Sequence, residues 1–300
     1  MIPRLAATLL TVWLALTLTF VLLRLVPGDA IAAQFEGSAN PQAAELKRAA
    51  LGLDQTPLMQ YVSYWAGLLR GDFGVSLASG LPVTEILAQR WPSTLLLTGS
   101  SMVFAVVLGA SMGMIAGWGK GWTARLAALY SALALSIPSY WTATLALLLL
   151  GRWFANPAYS LLPAAIIGIH SGGVIAQVFG ASLRDIRTAD YIRVAHAKGL
   201  SQRAVLGRHA LRPALAPVVM VIALQTGYLM SGTIITEMIF QRAGVGLLLR
   251  DAVLGQDYPV VQGIIVILTV LYVMLTFAAE MCVWWLDPRV RDLSWADAAA

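Results

Sequence analysis

The sequence predicts an all-α, polytopic membrane protein with six transmembrane helices and a small helical external cap between the first and the second. Three observations predict it. Hydrophobic residues make up 59% of the 300 and charged residues only 12%, about half the share of an ordinary soluble domain. The apolar residues gather in runs near the roughly 20 residues that a helix needs to cross the hydrocarbon core. The basic residues beside those runs are unevenly shared between the two sides that the runs would separate, as cytoplasmic and external loops are.

Leu5 to Leu23 is the first run, bracketed by Arg4 and Arg24. A cleavable signal is the rival reading, with Ala30-Ile31-Ala32 as its cleavage site. The run exceeds the usual apolar core of a signal, about 7–15 residues, and more spans follow, so it reads as an uncleaved helix. From Arg24 to Pro92 the chain is more polar. Pro27-Gly28-Asp29 reads as a turn and Asn40-Pro41 as a helix start. Two short helices are expected near Gln42–Leu51 and Leu58–Leu69, separated by Gly52 and Pro57 and closed by Gly71. Further spans read at Thr94–Gly117, Leu126–Leu150, Leu161–Phe179, Ala214–Thr236 and Val260–Leu286. The chain thus divides into residues 1–24, a first transmembrane helix; 25–93, the external cap; 94–286, a five-helix core that carries a loop at 183–213; and 287–300, a tail.

Six crossings place both termini on one side. That side collects Arg4, Lys120, Arg125, Arg289 and Arg291, and with them the bases of loop 183–213: Arg184, Arg187, Arg193, Lys198, Arg203, Arg208 and Arg212. The opposite side holds fewer bases and more acids. Both termini and the loop are therefore expected to be cytoplasmic. A sequence pI near 9.6 does not indicate nucleic-acid binding when the bases flank apolar spans. Cys282 is the only cysteine, which excludes an internal disulfide and a cysteine-rich metal site.

Several motifs are weaker than they look. Gly109-Ala110-Ser111-Met112-Gly113 matches a hydrolase nucleophile pattern, but that chemistry needs a strand, a sharp turn and a helix. Inside a span, Gly109, Gly113 and Gly117 read instead as small-residue steps for close helix packing. No Walker A sequence is present: Gly119-Lys120 is followed by Gly121 and position 114 is Met. His196 and His209 are not four apart, and His170 stands alone in a span, so no metal site is expected. Candidates for the translocation pathway or a gate are Arg24, Ser136, Pro138, Gln225 and Glu237, which are polar or helix-breaking positions in spans or at their ends. Ser136-Ile137-Pro138 predicts a kink, because proline removes a backbone hydrogen bond.

In Asp190 to Pro217, Asp190–Lys198 reads as a helix, Gly199 as its left-handed stop, and Ser201 as the cap of a second helix running toward Leu211. Ile192, Ala195 and Gly199 form a face of small residues suited to docking on another protein. Arg193 and Lys198 stay available for charge pairing. A solvated basic loop against anionic lipid is the alternative.

The chain resembles the permeases of the dipeptide, oligopeptide and nickel family of ABC importers, over nearly its full length. Arg24-Leu25-Val26-Pro27-Gly28-Asp29 is similar to that family's R-L-x-P-G-D. Leu51-Gly52-Leu53-Asp54 with Gln60-Tyr61, and Gly71-Asp72-Phe73-Gly74, resemble its external cap. Asp190 to Pro217 resembles its coupling loop. Thr236-Glu237, Phe240, Gly244-Val245-Gly246, Asp257 to Gly263 and Leu286 to Arg291 complete the pattern. Two departures stand out: Arg193-Val194-Ala195 occupies the place of the Glu-Ala-Ala of ABC permeases at large, and the segment Arg152–Ser160 is short.

The resemblance implies a type I ABC importer permease. It implies Asp190, Tyr191, Arg193, Ala195, Ala197, Lys198, Gly199, Arg208, His209 and Arg212 as the contact to ATPases, with Gly199 as the coupling joint. It also implies a second homologous permease chain as a heterodimer partner, two ATP-binding cassette subunits, and an external solute-binding protein. The chain is then a transport subunit, not an enzyme, with no cofactor of its own, and ATP and Mg belong to the partner subunits. The solute is a peptide, with nickel or metal chelates and glutathione-like solutes as alternatives. An ion-driven carrier and a membrane enzyme are the competing classes.

Overall fold

A computed structural model describes residues 2–25, 45, 48, 52, 54–154, 156 and 161–286. The expected turn at Pro27–Asp29, the start at Asn40-Pro41 and the motif at Asp287–Arg291 lie outside them. So does the helix at Gln42–Leu51 apart from Glu45 and Arg48, which are helical. Among the described residues the chain is helical, with an isolated antiparallel bridge between Val75 and Pro82. Five helices are long and apolar enough to cross a membrane, and a bent pair supplies a sixth crossing if it is one span.

The chain packs as two units, residues 1–94 with 243–273 and residues 95–242 with 274–300. In the first, α1 (Ile2–Leu25) is the first span. Helix α2 (Pro57–Leu69) starts with Pro57 behind Thr56, whose hydroxyl accepts from the Met59 N–H at 3.4 Å. Helix α2 lies beside α1: Thr17 and Tyr61 share a hydrogen bond of 2.8 Å, and Phe20 meets Tyr61 edge-on. Burial pushes the Tyr64 hydroxyl up to about 12.

Helix α3 (Val83–Trp118) begins in this unit. Val83 and Leu87 there join Val245, Val260, Val261 and Ile264 in a core that also takes in α11 (Val245–Leu254) and the start of α12 (Tyr258–Leu286).

In the second unit, α4 (Gly121–Ser136) and α5 (Ser139–Leu150) replace the single span expected at Leu126–Leu150. They meet at 96°, because Pro138 cannot donate to Ala134 in the turn before it. Helix α6 (Leu161–Arg187) runs about two turns beyond the expected end at Phe179. It lies parallel to α3, and the glycines show the register: Cβ atoms added at Gly109, Gly113 and Gly117 would meet Ile175, Phe179 and Leu183 at 2.7, 2.9 and 2.6 Å. Gly168 in turn faces Phe104 and Ser101.

Helices α4 and α5 both pack along α6. Ala134 packs on Gly173, His170 reaches both Ala134 and Thr142, and Ala143 clusters with Ile166 and Leu162. The Tyr130 hydroxyl donates to the Ile169 carbonyl, so α4 meets α6 around residues 169–173 and α5 meets it from 170 to 162.

Candidate functional site

The elbow after α6 is built from α7 (Asp190–Ala197), α8 (Gln202–Val205), a π-helical turn at Leu206–Ala210 and α9 (Leu211–Gly232). The Asp190–Lys198 helix and its stop match the expectation. Gly199 stands at φ +81, and the Ser201 hydroxyl accepts from the Ala204 N–H at 3.4 Å. The second helix does not end as a separate element near Leu211. It continues through the π turn into α9, so the elbow is joined to a span without a loop.

Of the three residues of the expected docking face, Ile192 and Ala195 are turned inward and Gly199 is exposed. Ile192 and Ala195 are buried with Phe179, Leu183, Val205, Ala210 and Ala214 in one cluster, which removes the Ile192 side chain from water with a gain of about 1.5–3 kcal/mol. An apolar face of this size serves the chain's own core as well as a partner's, and here the core takes it. Exposed on the other side are Asp190, Tyr191, Arg193, His196, Ala197, Lys198 and Gly199, followed by Arg203, Arg208 and His209. Asp190 and Arg193 pair at 3.1 Å, and Arg193 also donates to the Thr188 carbonyl at 3.3 Å. An exposed pair of this kind contributes about 0.5 kcal/mol or less. The segment's surface is therefore mostly polar, with Val194 exposed among the charges, and its backing is packed.

The bases of this segment divide into two groups. Arg184 donates to the Ala116 carbonyl at 3.3 Å, and Arg187 lies 6.0 Å over the ring of Trp118. Arg212 donates to the Trp285 carbonyl at 3.2 Å and its guanidinium sits 5.7 Å over the Trp285 ring. Ala116 and Trp285 belong to the last turns of α3 and α12, where carbonyls lack helical partners and the dipole is negative. These arginines tie helix ends together. Lys198, Arg203 and Arg208 present their charge outward. Charge counting alone gave no means of making this division, since it depends on which helix ends converge.

The pathway candidates lie on different elements. Arg24 donates to Gln60 Oε1 at 3.0 and 2.7 Å and to the Phe20 carbonyl at 3.3 Å, with its guanidinium against the Phe20 ring. It fastens α1 to α2. Ser136 donates to the Ala132 carbonyl at 2.8 Å, and Pro138 caps α5. Gln225 is half-buried on α9. Glu237, in α10 (Ile234–Ile239), is fully buried. The Thr233 hydroxyl lies 3.5 Å from its carboxylate and the Arg242 N–H donates to its backbone carbonyl at 2.8 Å. Arg242 is buried as well. Of the three histidines, His196 and His209 are exposed on the elbow. His170 instead bridges α4 and α5, a role that its isolation in the sequence hid.

Residues 109–292 match the family model for the binding-protein-dependent transport system inner membrane component. Residues 1–98 match the N-terminal model of the same transport-system membrane components. The chain belongs to this permease family. A probable peptide ABC transporter permease protein, y4tP, of Sinorhizobium fredii (strain NBRC 101917 / NGR234) is 31% identical, with 96% of this chain and 97% of that protein aligned. The glutathione transport system permease protein GsiC of Escherichia coli (strain K12) is 33% identical over 97% of this chain and 98% of its own length. Among solved structures, an inward-facing MetNI methionine ABC transporter matches 68% of this chain and 97% of its own chain, at a TM-score of 0.58 and 18% identity. An amino acid ABC transporter crystallised with histidines matches 69% and 94%, at a TM-score of 0.52 and 14% identity. At these identities the two structures establish the fold alone. The permease is thus an all-α, multi-pass ABC importer subunit of the inner membrane.

Proposed function

We propose that this permease forms part of the translocation pathway of an importer for peptides or glutathione-like solutes, driven by ATP hydrolysis on partner subunits. The observation that carries the coupling half is the elbow: a polar, exposed face on α7, backed by a core that α6 and α9 share. A push on α7 moves packed side chains of two long helices together, and packed interiors switch between discrete arrangements instead of deforming smoothly. In this reading α7 and the Gly199 turn seat on an ATPase subunit, with Asp190, Tyr191, Arg193, Ala197, Lys198, Arg208 and His209 on the contacting side. Ala195 acts from behind, in the core, and Arg212 holds the end of α12. Gly199 is the joint. ATP and Mg reside on the two partner ATPases, and a second permease chain and an external solute-binding protein complete the unit.

The peptide and glutathione alternatives come from the relatives' named solutes, and the broken third span supports a pathway with a fixed bend at Pro138. Both termini and the elbow are assigned to the cytoplasm on the excess of bases there. Uptake into proteoliposomes holding this chain, its co-purified partners and the external binding protein tests the reading. Vanadate-sensitive, ATP-dependent uptake of a short peptide or glutathione is expected. Uptake driven by an ion gradient without ATP would overturn it. Thiol labelling of cysteines introduced at Lys198 and at Arg70 tests the orientation: only the first is expected to be protected from an impermeant reagent applied outside.

A further inference from the structure

We propose that His170 is a positioning residue: from α6 it supplies the hydrogen bond that Pro138 deletes from the third span, and so sets the angle between α4 and α5. In an α-helix the carbonyl of Ala134 would accept from the N–H of residue 138. Residue 138 is proline and has no N–H. Inside a membrane an unpaired carbonyl has no water to bond to, and neighbouring helices supply partners at such breaks. His170 Nδ1 lies 2.8 Å from that carbonyl. A carbonyl oxygen only accepts, so Nδ1 carries the hydrogen. The other ring nitrogen, Nε2, lies 2.7 Å from the Thr142 hydroxyl on α5, which also has the Ser139 carbonyl within reach at 2.8 Å.

One imidazole therefore holds the last turn before the break and the first turn after it. It does so in the crook of the 96° bend, where Tyr130, Ala134, Ile137, Thr142 and His170 line a cavity of about 330 Å³. The Tyr130 hydroxyl donates to the Ile169 carbonyl at 2.6 Å beside it, so α4 is pinned to α6 on both sides of His170. Without the imidazole, the Ala134 carbonyl loses its partner and the Thr142 hydroxyl its bond to α6. The span is then free to sample other angles.

The consequence for transport rests on the importer reading above, but the geometry is testable without it. Spin labels are placed on the full chain at Leu126→Cys in α4 and Leu148→Cys in α5, both exposed positions, in a Cys282→Ala background. Distance distributions are then measured in lipid nanodiscs. The parent is expected to give one narrow distribution and His170→Leu a broader, shifted one. His170→Asn, whose amide N–H lies nearest the Nδ1 position, is expected to restore the parent distribution. Pro138→Ala combined with His170→Leu is expected to give a narrow distribution at longer distance, because the N–H of residue 138 again serves the Ala134 carbonyl.

A parental distribution in His170→Leu overturns the proposal. A distribution in His170→Asn as broad as in His170→Leu overturns it too, since ring volume and not hydrogen bonding would then hold the bend. In reconstituted importer, uptake by His170→Leu is expected to fall roughly two- to thirtyfold, the range for a residue that biases a two-state element, and His170→Asn to recover it. Unchanged uptake in His170→Leu overturns the transport role. Failure of the parent to transport at all would count against the importer reading and leave the distance result standing.

Discussion

Asp257 accepts the backbone N–H of Leu77 at 2.9 Å, across 180 residues of sequence. The same carboxylate accepts the Ser76 hydroxyl at 2.5 Å and the Ala78 N–H at 3.3 Å, and it is buried. It also opens α12, since its own carbonyl accepts from Val261 at 3.1 Å. A single side chain thus fixes the turn before α3 to the start of the last span. Replacing Asp257 by Ala removes the acceptor of two backbone N–H groups and a hydroxyl, and is expected to cost about 2–4 kcal/mol. A thermal melt of the detergent-solubilised chain reads this directly. An Asp257→Ala melting temperature equal to the parent's would show that the turn holds itself.

At Gly199 the backbone lies at φ +81 and an added Cβ would meet nothing within 4 Å. The requirement is conformational, not steric. Alanine there is expected to cost about 1–2 kcal/mol of left-handed strain, asparagine less, and valine more because of its β-branch. ATP-driven uptake should fall in the order Asn, Ala, Val while the amount of inserted protein stays level. Full activity in Gly199→Val would remove Gly199 from the coupling joint.

Gly113 and Ser111 sit two residues apart on α3 with opposite roles. A Cβ at Gly113 would stand 2.9 Å from the Cβ of Phe179 and 3.0 Å from the Ala176 carbonyl, so Gly113→Leu must force α3 from α6. Ser111 is exposed, and its hydroxyl donates to the Val107 carbonyl of its own helix. Gly113→Leu is expected to lower the melting temperature by more than about 5 °C, whereas overpacked cores typically lose 1–3 kcal/mol or more. Ser111→Ala should leave both stability and uptake unchanged. Lost uptake in Ser111→Ala would revive the hydrolase motif.

The two groups of bases predict two phenotypes. Arg203→Glu and Lys198→Glu reverse exposed charges and are expected to shift stability by no more than about 0.5 kcal/mol, yet to weaken co-purification of the ATPase subunit, more so at low salt. Arg212→Ala removes the donor to the Trp285 carbonyl and is expected to increase proteolysis near the end of α12. If Arg203→Glu and Lys198→Glu co-purify with the ATPase as the parent does, the exposed face of the elbow is not the contact.

Much of this protein is legible without coordinates, because a bilayer imposes a coarse rule: a crossing needs a long apolar run, and every such run shows in the sequence. The spans, the short helix at residues 57–69, the glycine stop at 199, the Ser201 cap and the kink at Pro138 all follow from local chemistry. The glycines of α3 announce a close neighbour by their spacing.

Tertiary structure decided the rest. Ile192 and Ala195 form a face that could dock on a partner or on the chain itself, and only the position of Leu183 and Val205 shows that it turns inward. Loop 183–213 carries its bases at positions that look equivalent until α3 and α12 end beside Arg184 and Arg212. Asp257 reads as the first residue of a motif, and His170 as an isolated polar residue in a span. Their partners, Leu77 and the orphaned carbonyl of Ala134, lie 180 and 36 residues away. Hydrogen bonds over such separations leave no periodicity in a sequence, because they depend on how the helices pack and not on the spacing of residues along any one of them.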